Sequence, residues 1–264
     1  VLEGYQVTEV IFDGNDAIWT NHNFDHLRDT GYEIFAVSRF TGGDNGRVIS
    51  SNSRNWLFGH HNGETCCWYA QGWIINADSG GDTNWHMYAG RIEQRGSNGN
   101  NPRAWFRKDA VDRVSANGGS NNNNFGPGQL IFGGYRANSQ NSKSEVAELM
   151  MIADMITDEE RYKLEGYLAH KWGIPLPVNH PWANEQPTFG TSTVDGSTNT
   201  FTPPTTKVPT LVNRNPSNVT NDSATLNGRL ADPGTGIDLG PFTPLAFPGL
   251  KLWLDASDVD GDDQ

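Results

Sequence analysis

Cysteine is scarce in this chain of 264 residues: only Cys66 and Cys67 occur, and they are adjacent. Neighbouring side chains of a strand point to opposite faces, so a bond between these two sulfurs would need a strained turn. We favour two unpaired thiols, one facing inward and one outward; a vicinal or an intermolecular disulfide is the alternative. The cysteines therefore do not identify a cellular compartment.

Charged residues and long apolar runs are also few. Charged side chains make up 19% of the sequence, and 31 acidic against 19 basic residues give a formal net charge of −12. This acidic excess argues against a nucleic-acid partner, because phosphate backbones are bound by Lys and Arg. No stretch approaches the ~20 consecutive apolar residues of a membrane span. Since Val1 is not an initiator Met, we expect a chain that is processed or cut from a longer one.

Glycine and aromatic residues are abundant, with 30 Gly, 9 Trp and 12 Phe. Short runs of β-forming residues, separated by Gly, Asn and Asp, recur at regular spacing. The runs are residues 9–12, 32–37, 47–50, 56–59, 66–69, 85–92, 104–107, 129–134 and 148–153. This pattern predicts an all-β antiparallel sandwich or jelly roll.

One amphipathic helix is predicted between Thr157 and Gly173. Thr157 and Glu160 have the spacing of a capping box, and Gly173 is a typical helix stop. The predicted apolar stripe consists of Leu164, Tyr167, Leu168 and Trp172. We expect this helix to pack against an edge of the sheet, with no catalytic role for its charges.

Composition divides the chain into four segments. Residues 1–182 carry the sandwich, and residues 183–210 are rich in Thr, Ser and Pro, which predicts an extended linker. Residues 211–240 contain one alternating strand and are interpreted as an extended arm or the remnant of another module. Residues 241–264 contain the apolar run 250–254, which predicts a strand, and an acidic turn.

Residues 5–182 resemble the laminin-G-like, concanavalin A-like domains of large bacterial surface proteins. The similarity is most specific in the helix at 157–173 with the His180-Pro181 pair that follows, and it extends to the strands at 10–14, 129–134 and 144–151. The resemblance implies a concanavalin A-like jelly roll and an extracellular or cell-surface location. Residues 217–228 look like the opening strand of a bacterial fibronectin-III-like module.

Residues 248–260 resemble the first strand of the same laminin-G-like domain. In the family this strand precedes the one at 10–14 and neighbours the last strand, but here it stands at the opposite end of the chain. An edge that lacks its partner offers free N–H and C=O groups to another chain. We therefore predict a head-to-tail homopolymer in which this segment completes the next copy. A return to its own domain, or an arbitrary fragment, are the alternatives. The strand-donor residues are Leu250, Leu252, Trp253 and Leu254.

Carboxylates alternate around Gly261 at the end of the chain. The candidate ligands are Asp255, Asp258, Asp260 and Asp262. Oxygen ligands at this spacing suit Ca²⁺, although the Glu that closes an EF-hand-type loop is missing, and a solvated acidic turn is the alternative. Asp13 and Asp16 offer the same chemistry in what is also an ordinary hairpin turn.

The histidine pairs His22 with His26 and His60 with His61 lack a third metal ligand. We therefore expect surface or turn histidines at these positions.

Tryptophans suggest a sugar-binding alternative. Trp73 and Trp85 flank the Gly-rich loop 76–84, which carries Asp78 and Asp82, and exposed rings there would stack on a sugar face. The competing interpretation is that large aromatic side chains fill the sandwich core. It applies to these two residues and to Trp56, Trp68, Tyr69 and Trp105.

Motifs of catalysis are missing from the sequence. It contains no nucleophile elbow, His-Glu-x-x-His, Walker loop or dinucleotide glycine motif, and no closely alternating carboxylates of a glycosidase. A non-enzymatic protein is therefore predicted. Its function is that of a subunit or repeat of an extracellular filament or sheath, with copies of itself as partner. The alternative is a lectin-like adhesion module that binds polysaccharide with the help of Ca²⁺.

Overall fold

The computed structural model describes residues 9–76, 80–93, 103–115, 125–136, 139–153, 155–187, 210–217, 225–232 and 249–255. The chain forms two units, Val1–Pro187 with Thr243–Gln264, and Thr188–Phe242. A 3-10 helix (Asp25–Asp29) and one α-helix, α1 (Asp158–Trp172), lie in the described part of the first unit. The strands are β1 (Val10–Asp13), β2 (Ile18–Trp19), β3 (Gly31–Asn45), β4 (Arg47–Ser51), β5 (Trp56–His61), β6 (Glu64–Ala70), β7 (Trp73–Asn76), β8 (His86–Glu93), β9 (Ala104–Lys108), β10 (Val111–Ser115), β11 (Leu130–Phe132), β12 (Ser142–Ala153), β13 (Thr210–Ser217), β14 (Thr225–Asp232) and β15 (Leu250–Asp255).

Two antiparallel sheets form the first unit. The first sheet has the order β1-β12-β3-β8-β9-β10, with β15 also paired to β12, and the second has the order β2-β11-β4-β5-β6-β7. The predicted all-β sandwich is therefore confirmed, and every predicted run in the first unit overlaps a strand. The predicted runs did not include strands β2, β7 and β10, which have two, four and five residues.

Aromatic rings fill the space between the sheets. The ring of Phe58 on β5 lies 5.4 Å from that of Phe106 on β9 and 5.3 Å from that of Trp68. Trp56 and Trp68 are almost fully buried, so the core interpretation is confirmed for both. A Cβ atom on Gly90 would stand 2.7 Å from Phe58 and 2.8 Å from Trp68, so the rings need a glycine at this position.

The two cysteines are buried thiols on β6. Cys66 belongs to the core between the sheets, and the Cys67 thiol lies near the carbonyl oxygens of Glu64 and Thr65. Burial raises the pKa of Cys67 to about 12, with a smaller contribution from neighbouring Cys66. Cys67 is therefore a protonated, unreactive thiol at neutral pH.

Helix α1 packs on the outer face of the first sheet. The Trp172 indole donates a hydrogen bond to Glu148 of β12 at 2.7 Å, and Arg107 of β9 donates to Glu165 at 2.7 Å, so the helix crosses several strands. The expectation that it packs against a sheet edge is wrong. The outer face carries apolar side chains that need cover, and the helix supplies Leu164 and Leu168. The buried apolar residues of this sheet that lie outside the core between the sheets include Phe35, Val37, Met87 and Met150.

Both predicted ends of α1 are confirmed. The Thr157 hydroxyl accepts a hydrogen bond from the Glu160 backbone N–H at 3.2 Å, and the Glu160 carboxylate accepts one from the Thr157 N–H at 2.7 Å. Gly173 has a left-handed φ of 67° and ends the helix. These two caps satisfy backbone groups that the helix itself leaves without partners.

The second unit is described for one hairpin. Strands β13 and β14 pair antiparallel, with Thr210 opposite Asp232 and Ser217 opposite Thr225. The segment 211–240, in which one alternating strand was predicted, thus contains most of β13 and all of β14.

Removing the N-terminal cap tests how much the helix contributes to stability. We expect Thr157→Ala to lower the free energy of unfolding by about 1 kcal/mol, because the Glu160 N–H loses its acceptor. Thr157→Ser keeps a hydroxyl at the same place and should stay close to the parent chain. Urea unfolding curves measure both variants, and equal losses in both would contradict this role of the hydroxyl.

Candidate functional site

The edge of the first sheet beyond β12 is shared by two strands from distant parts of the chain. β1 pairs with one half of β12, from Asp13 opposite Lys143 to Val10 opposite Val146. β15 pairs with the other half, from Glu148 to Ile152. The segment predicted as a strand donor therefore fills the part of the edge that β1 leaves open.

Strands β15 and β1 lie end to end along this edge. Both run antiparallel to β12, so they run in the same direction. Asp255, the last residue of β15, lies opposite Glu148, and Val10, the first residue of β1, lies opposite Val146. β15 thus occupies the place of a strand that directly precedes β1, which is the order that the family resemblance implies.

Apolar contacts and backbone hydrogen bonds hold β15 in place. Leu252 lies opposite Met151 and packs against the core, and Leu254 lies opposite Leu149. The Ala153 N–H donates to the Gly249 carbonyl at 2.8 Å, which extends the ladder by one residue. In register, Leu250 lies opposite Ile152 and Trp253 opposite Met150. In this chain the segment returns to its own sandwich; pairing with another copy stays a prediction.

The accepting residues Leu149 and Met151 were not predicted from the sequence. Both face the core, and they alternate with the period of two that a strand requires. The matching alternation of Leu252 and Leu254 is the signal that pairs the two segments. What this site can do is form a β-ladder with a strand of the right apolar pattern.

The acidic residues singled out for calcium lie mostly outside the described part of the chain. Asp255 ends β15, while Asp258, Asp260 and Asp262 fall beyond the described residues. Among the residues that the structure describes, no group of three or more His, Cys, Asp or Glu side chains is placed to hold a metal ion. Calcium binding at the terminal turn stays a prediction.

The turn at 13–16 satisfies its own carboxylates. Asp13 Oδ1 accepts from the Asn15 N–H at 2.9 Å, and Asp16 Oδ1 accepts from the Asp13 N–H at 3.0 Å. The ordinary turn interpretation therefore accounts for both side chains.

Trp73 is the exposed member of the tryptophan pair. Its side chain on β7 is 39% exposed, and its ring lies 5.1 Å from Tyr69 and 5.7 Å from His61. The three rings form a group on the outer side of the second sheet, which we call the Trp73 platform. An exposed aromatic group of this kind is a suitable surface for the apolar face of a ligand ring.

Trp85 has different surroundings. Its ring is half-buried, with the Arg39 guanidinium 4.6 Å from its centroid and the Trp172 ring at 6.2 Å. Asp82 accepts from His86 Nε2 at 3.0 Å, and Asp78 lies outside the described residues. The structure therefore places Trp73 and Trp85 among different neighbours rather than around one common groove.

The histidine expectation holds for one pair and fails for His60. His22 and His26 are exposed, as predicted. His60 is fully buried, with Nδ1 at 3.3 Å from the Ser38 hydroxyl and Nε2 at 3.3 Å from the Tyr88 hydroxyl. A register shift between Gly59 and His60 changes the alternation at this point of β5. Burial, reinforced by neighbouring His86 and Lys108, lowers the pKa of His60 to about 3.

Comparisons with known proteins give distant structural neighbours. No family model matches the chain, and no curated protein matches it. Domains LG4-5 of the mouse laminin α1 chain are 14% identical, with a TM-score of 0.38 over 59% of this chain and 44% of that one. The structural neighbours include laminin G domains. A mutant of Trypanosoma rangeli sialidase displaying trans-sialidase activity is 11% identical, with a TM-score of 0.39 over 62% of this chain and 28% of that one.

The matched regions cover 44% of the laminin fragment and 28% of the sialidase, so this chain spans less than half of the length of each neighbour. At this similarity the matches give no information on a ligand or an activity. Within the described residues, no helix has the length and apolarity needed to cross a bilayer.

Acid should destabilise the fold through His60. The folded state keeps this ring neutral down to about pH 3, whereas the unfolded chain protonates it near its ordinary pKa of 6.5. The unfolded state therefore binds more protons in that window, and stability falls as the pH drops through it. We expect His60→Gln to make the free energy of unfolding less dependent on pH between about 6.5 and 4. Chemical unfolding at a series of pH values measures how the free energy of unfolding changes with pH.

His22→Gln, at an exposed site, is the control. A pH dependence in His60→Gln equal to that of the parent chain would rule out His60 as its cause.

Proposed function

We propose that this protein is a structural module of an extracellular or cell-surface filament, in which β15 of one copy completes the first sheet of the next. The observation that carries the proposal is the pairing of β15 with β12. A backbone ladder and the contacts of Leu252 do not depend on whether the strand belongs to the same chain. Donor and acceptor are different segments, so donation that continues from copy to copy gives a head-to-tail array, whereas reciprocal exchange between two copies would close a symmetric pair.

The end-to-end placement of β15 and β1 supports this assembly. A strand donated by one copy would end where the first strand of the recipient begins, at Asp255 and Val10. The acidic residues that follow would then lie at the junction between copies. Calcium bound there would offset the repulsion between carboxylates that come from a chain of net charge −12.

The protein concentration decides whether β15 pairs with its own sheet or with the sheet of another copy. β15 and β12 belong to the same chain, and the entropy cost of closing the loop between them grows only slowly with its length. Effective concentrations are on the order of millimolar for short flexible linkers and fall as the connection becomes longer. Dilute chains should therefore keep their own strand, whereas chains crowded on a surface should exchange it.

Disulfide trapping tests the exchange. Leu149 and Leu254 lie opposite each other, so Leu149→Cys and Leu254→Cys in two separate chains will be joined only when β15 crosses between copies. We expect cross-linked species that increase with protein concentration under mild oxidation, read by non-reducing electrophoresis and light scattering. Addition of EDTA tests the part played by calcium.

Two controls make this experiment decisive. One chain that carries both cysteines should form the bond within itself at low concentration, which verifies that the variants fold. Lys251→Cys, at an exposed position of β15, is used in place of Leu254→Cys as the negative control, because residue 251 does not lie opposite Leu149. Intramolecular bonds without intermolecular bonds at millimolar protein would exclude strand exchange.

A carbohydrate-binding adhesion module is the second candidate function. The observation that favours it is the Trp73 platform, in which an exposed indole lies beside Tyr69 and His61. Sugar recognition on such a surface combines stacking with nearby hydrogen-bonding groups. A calcium ion at the terminal acidic turn would assist it.

Replacing the exposed ring tests the second candidate. We expect Trp73→Ala to weaken binding to an insoluble polysaccharide such as cellulose or chitin by about tenfold, which corresponds to ~1.4 kcal/mol. Trp19→Ala is the matched control, because that ring is also exposed but lies on β2, at the other edge of the second sheet. Sedimentation depletion assays measure both variants. Equal retention of Trp73→Ala and the parent chain would contradict a sugar-binding platform.

A further inference from the structure

A cleft of about 390 Å³ lies between α1 and the outer face of β8, β9 and β10. This volume is within the range of ~300–1,000 Å³ found for small-molecule sites. The cleft contains neither the Trp73 platform nor the edge that binds β15. It is therefore a separate candidate site.

Guanidinium and carboxylate groups alternate around the cleft. The ion pairs are Arg91 with Glu33 at 2.6 Å, Arg107 with Asp112 at 2.5 Å and Arg161 with Asp158 at 2.7 Å. Arg107 is held from behind by Glu165, which is fully buried. Each positive charge is thus neutralised in place. An anionic ligand would have to displace a carboxylate of the protein before it gained an arginine.

These groups keep hydrogen-bonding capacity that the protein does not use. The side chains of Asp112 and Asp158 are each 68% exposed and have oxygens open to solvent at the mouth. Arg161 Nε is buried and has no hydrogen-bond partner among the described residues. Burial raises the pKa of Glu33 to about 7, and this shift is opposed by the ion pair with Arg91 and by the Ile156 N–H, which donates to the same carboxylate. Donors and acceptors therefore stand side by side with little net charge.

Two aromatic side chains add apolar surface. Trp105 comes from β9 and Tyr162 from α1, so the sheet and the helix each contribute one ring. The guanidinium groups of Arg91 and Arg103 lie 5.8 Å and 4.8 Å from the Trp105 ring centroid, which restrains its orientation. Each ring is half-buried and so retains exposed area for a ligand.

We propose that this cleft binds one neutral, hydroxyl-rich ring of the size and chemistry of a pyranose residue. Each hydroxyl both donates and accepts, so adjacent hydroxyls match an arginine N–H and a carboxylate oxygen that lie next to each other. The apolar C–H face of the ring is placed against Trp105 or Tyr162. The inference requires neither strand exchange nor the Trp73 platform, and would survive the failure of both.

Titration of the full chain with simple sugars tests this assignment. The probes are the methyl glycosides of glucose, galactose and N-acetylglucosamine, with glucuronate and glucosamine as charged comparators. Saturation-transfer NMR and protein chemical shifts measure the dissociation constants. We expect at least one neutral glycoside to bind with a dissociation constant of about 1 mM, and more tightly than either charged sugar.

Variants locate the binding. Trp105→Ala and Tyr162→Ala should each weaken it by about tenfold, whereas Tyr162→Phe, which keeps the ring, should bind nearly as the parent chain does. Trp73→Ala should leave this binding unchanged, because Trp73 does not line the cleft. Thermal unfolding confirms that the variants are folded. Tyr162, on the helix surface, serves if Trp105→Ala does not fold.

Three outcomes would overturn the proposal. The first is that no neutral glycoside shows saturable binding at tens of millimolar. The second is that glucuronate or glucosamine binds more tightly than the neutral glycosides. The third is that Trp73→Ala loses binding while the Trp105 and Tyr162 variants keep it. The last result would assign the sugar to the Trp73 platform and so support the second candidate function instead.

Discussion

Hydrogen bonding along β12 is the constraint on which the first sheet depends. This strand of 12 residues is buried along almost its whole length, with the core on one face and, at Glu148, side chains of α1 on the other, so its backbone groups need partners within the sheet. β3 satisfies one side along nearly the whole strand. The other side is divided between β1 and β15, which come from opposite ends of the chain. The sheet is complete only when both contribute.

Burial on two faces also explains the position of α1. Two buried carboxylates between the helix and the sheet are both paired: Glu148 of β12 contacts Trp172 and Lys171, and Glu165 of α1 contacts Arg107 and His180. Apolar contacts and ion pairs thus attach the helix to several strands at once. Over β8 to β10 the charged pairs form a layer that the helix does not fully cover, and this is where the cleft opens. The same polar layer that anchors the helix therefore supplies the groups available to a ligand.

Local sequence signals predicted much of this arrangement. The helix ends at Thr157 and Gly173 and most strands follow from capping and turn residues. The packing of α1 required a longer-range argument. The unbroken apolar character of residues 34–37 is typical of a strand buried on both faces. The outer face of such a strand needs a covering element, and the helix is the element that can supply it. His60 was misjudged because a register shift altered the alternation of β5. The cleft was missed because its residues come from several elements that are distant in sequence.

The attachment of β15 also has a mechanical direction. Within the described residues this strand is held in its sheet by a single neighbour, β12, over its whole length. A pull along the strand axis loads all of these hydrogen bonds together in shear, so they must yield at once. A pull across the axis from the Leu250 end opens them one after another. A junction of this kind resists tension parallel to the strand and releases easily when it is peeled.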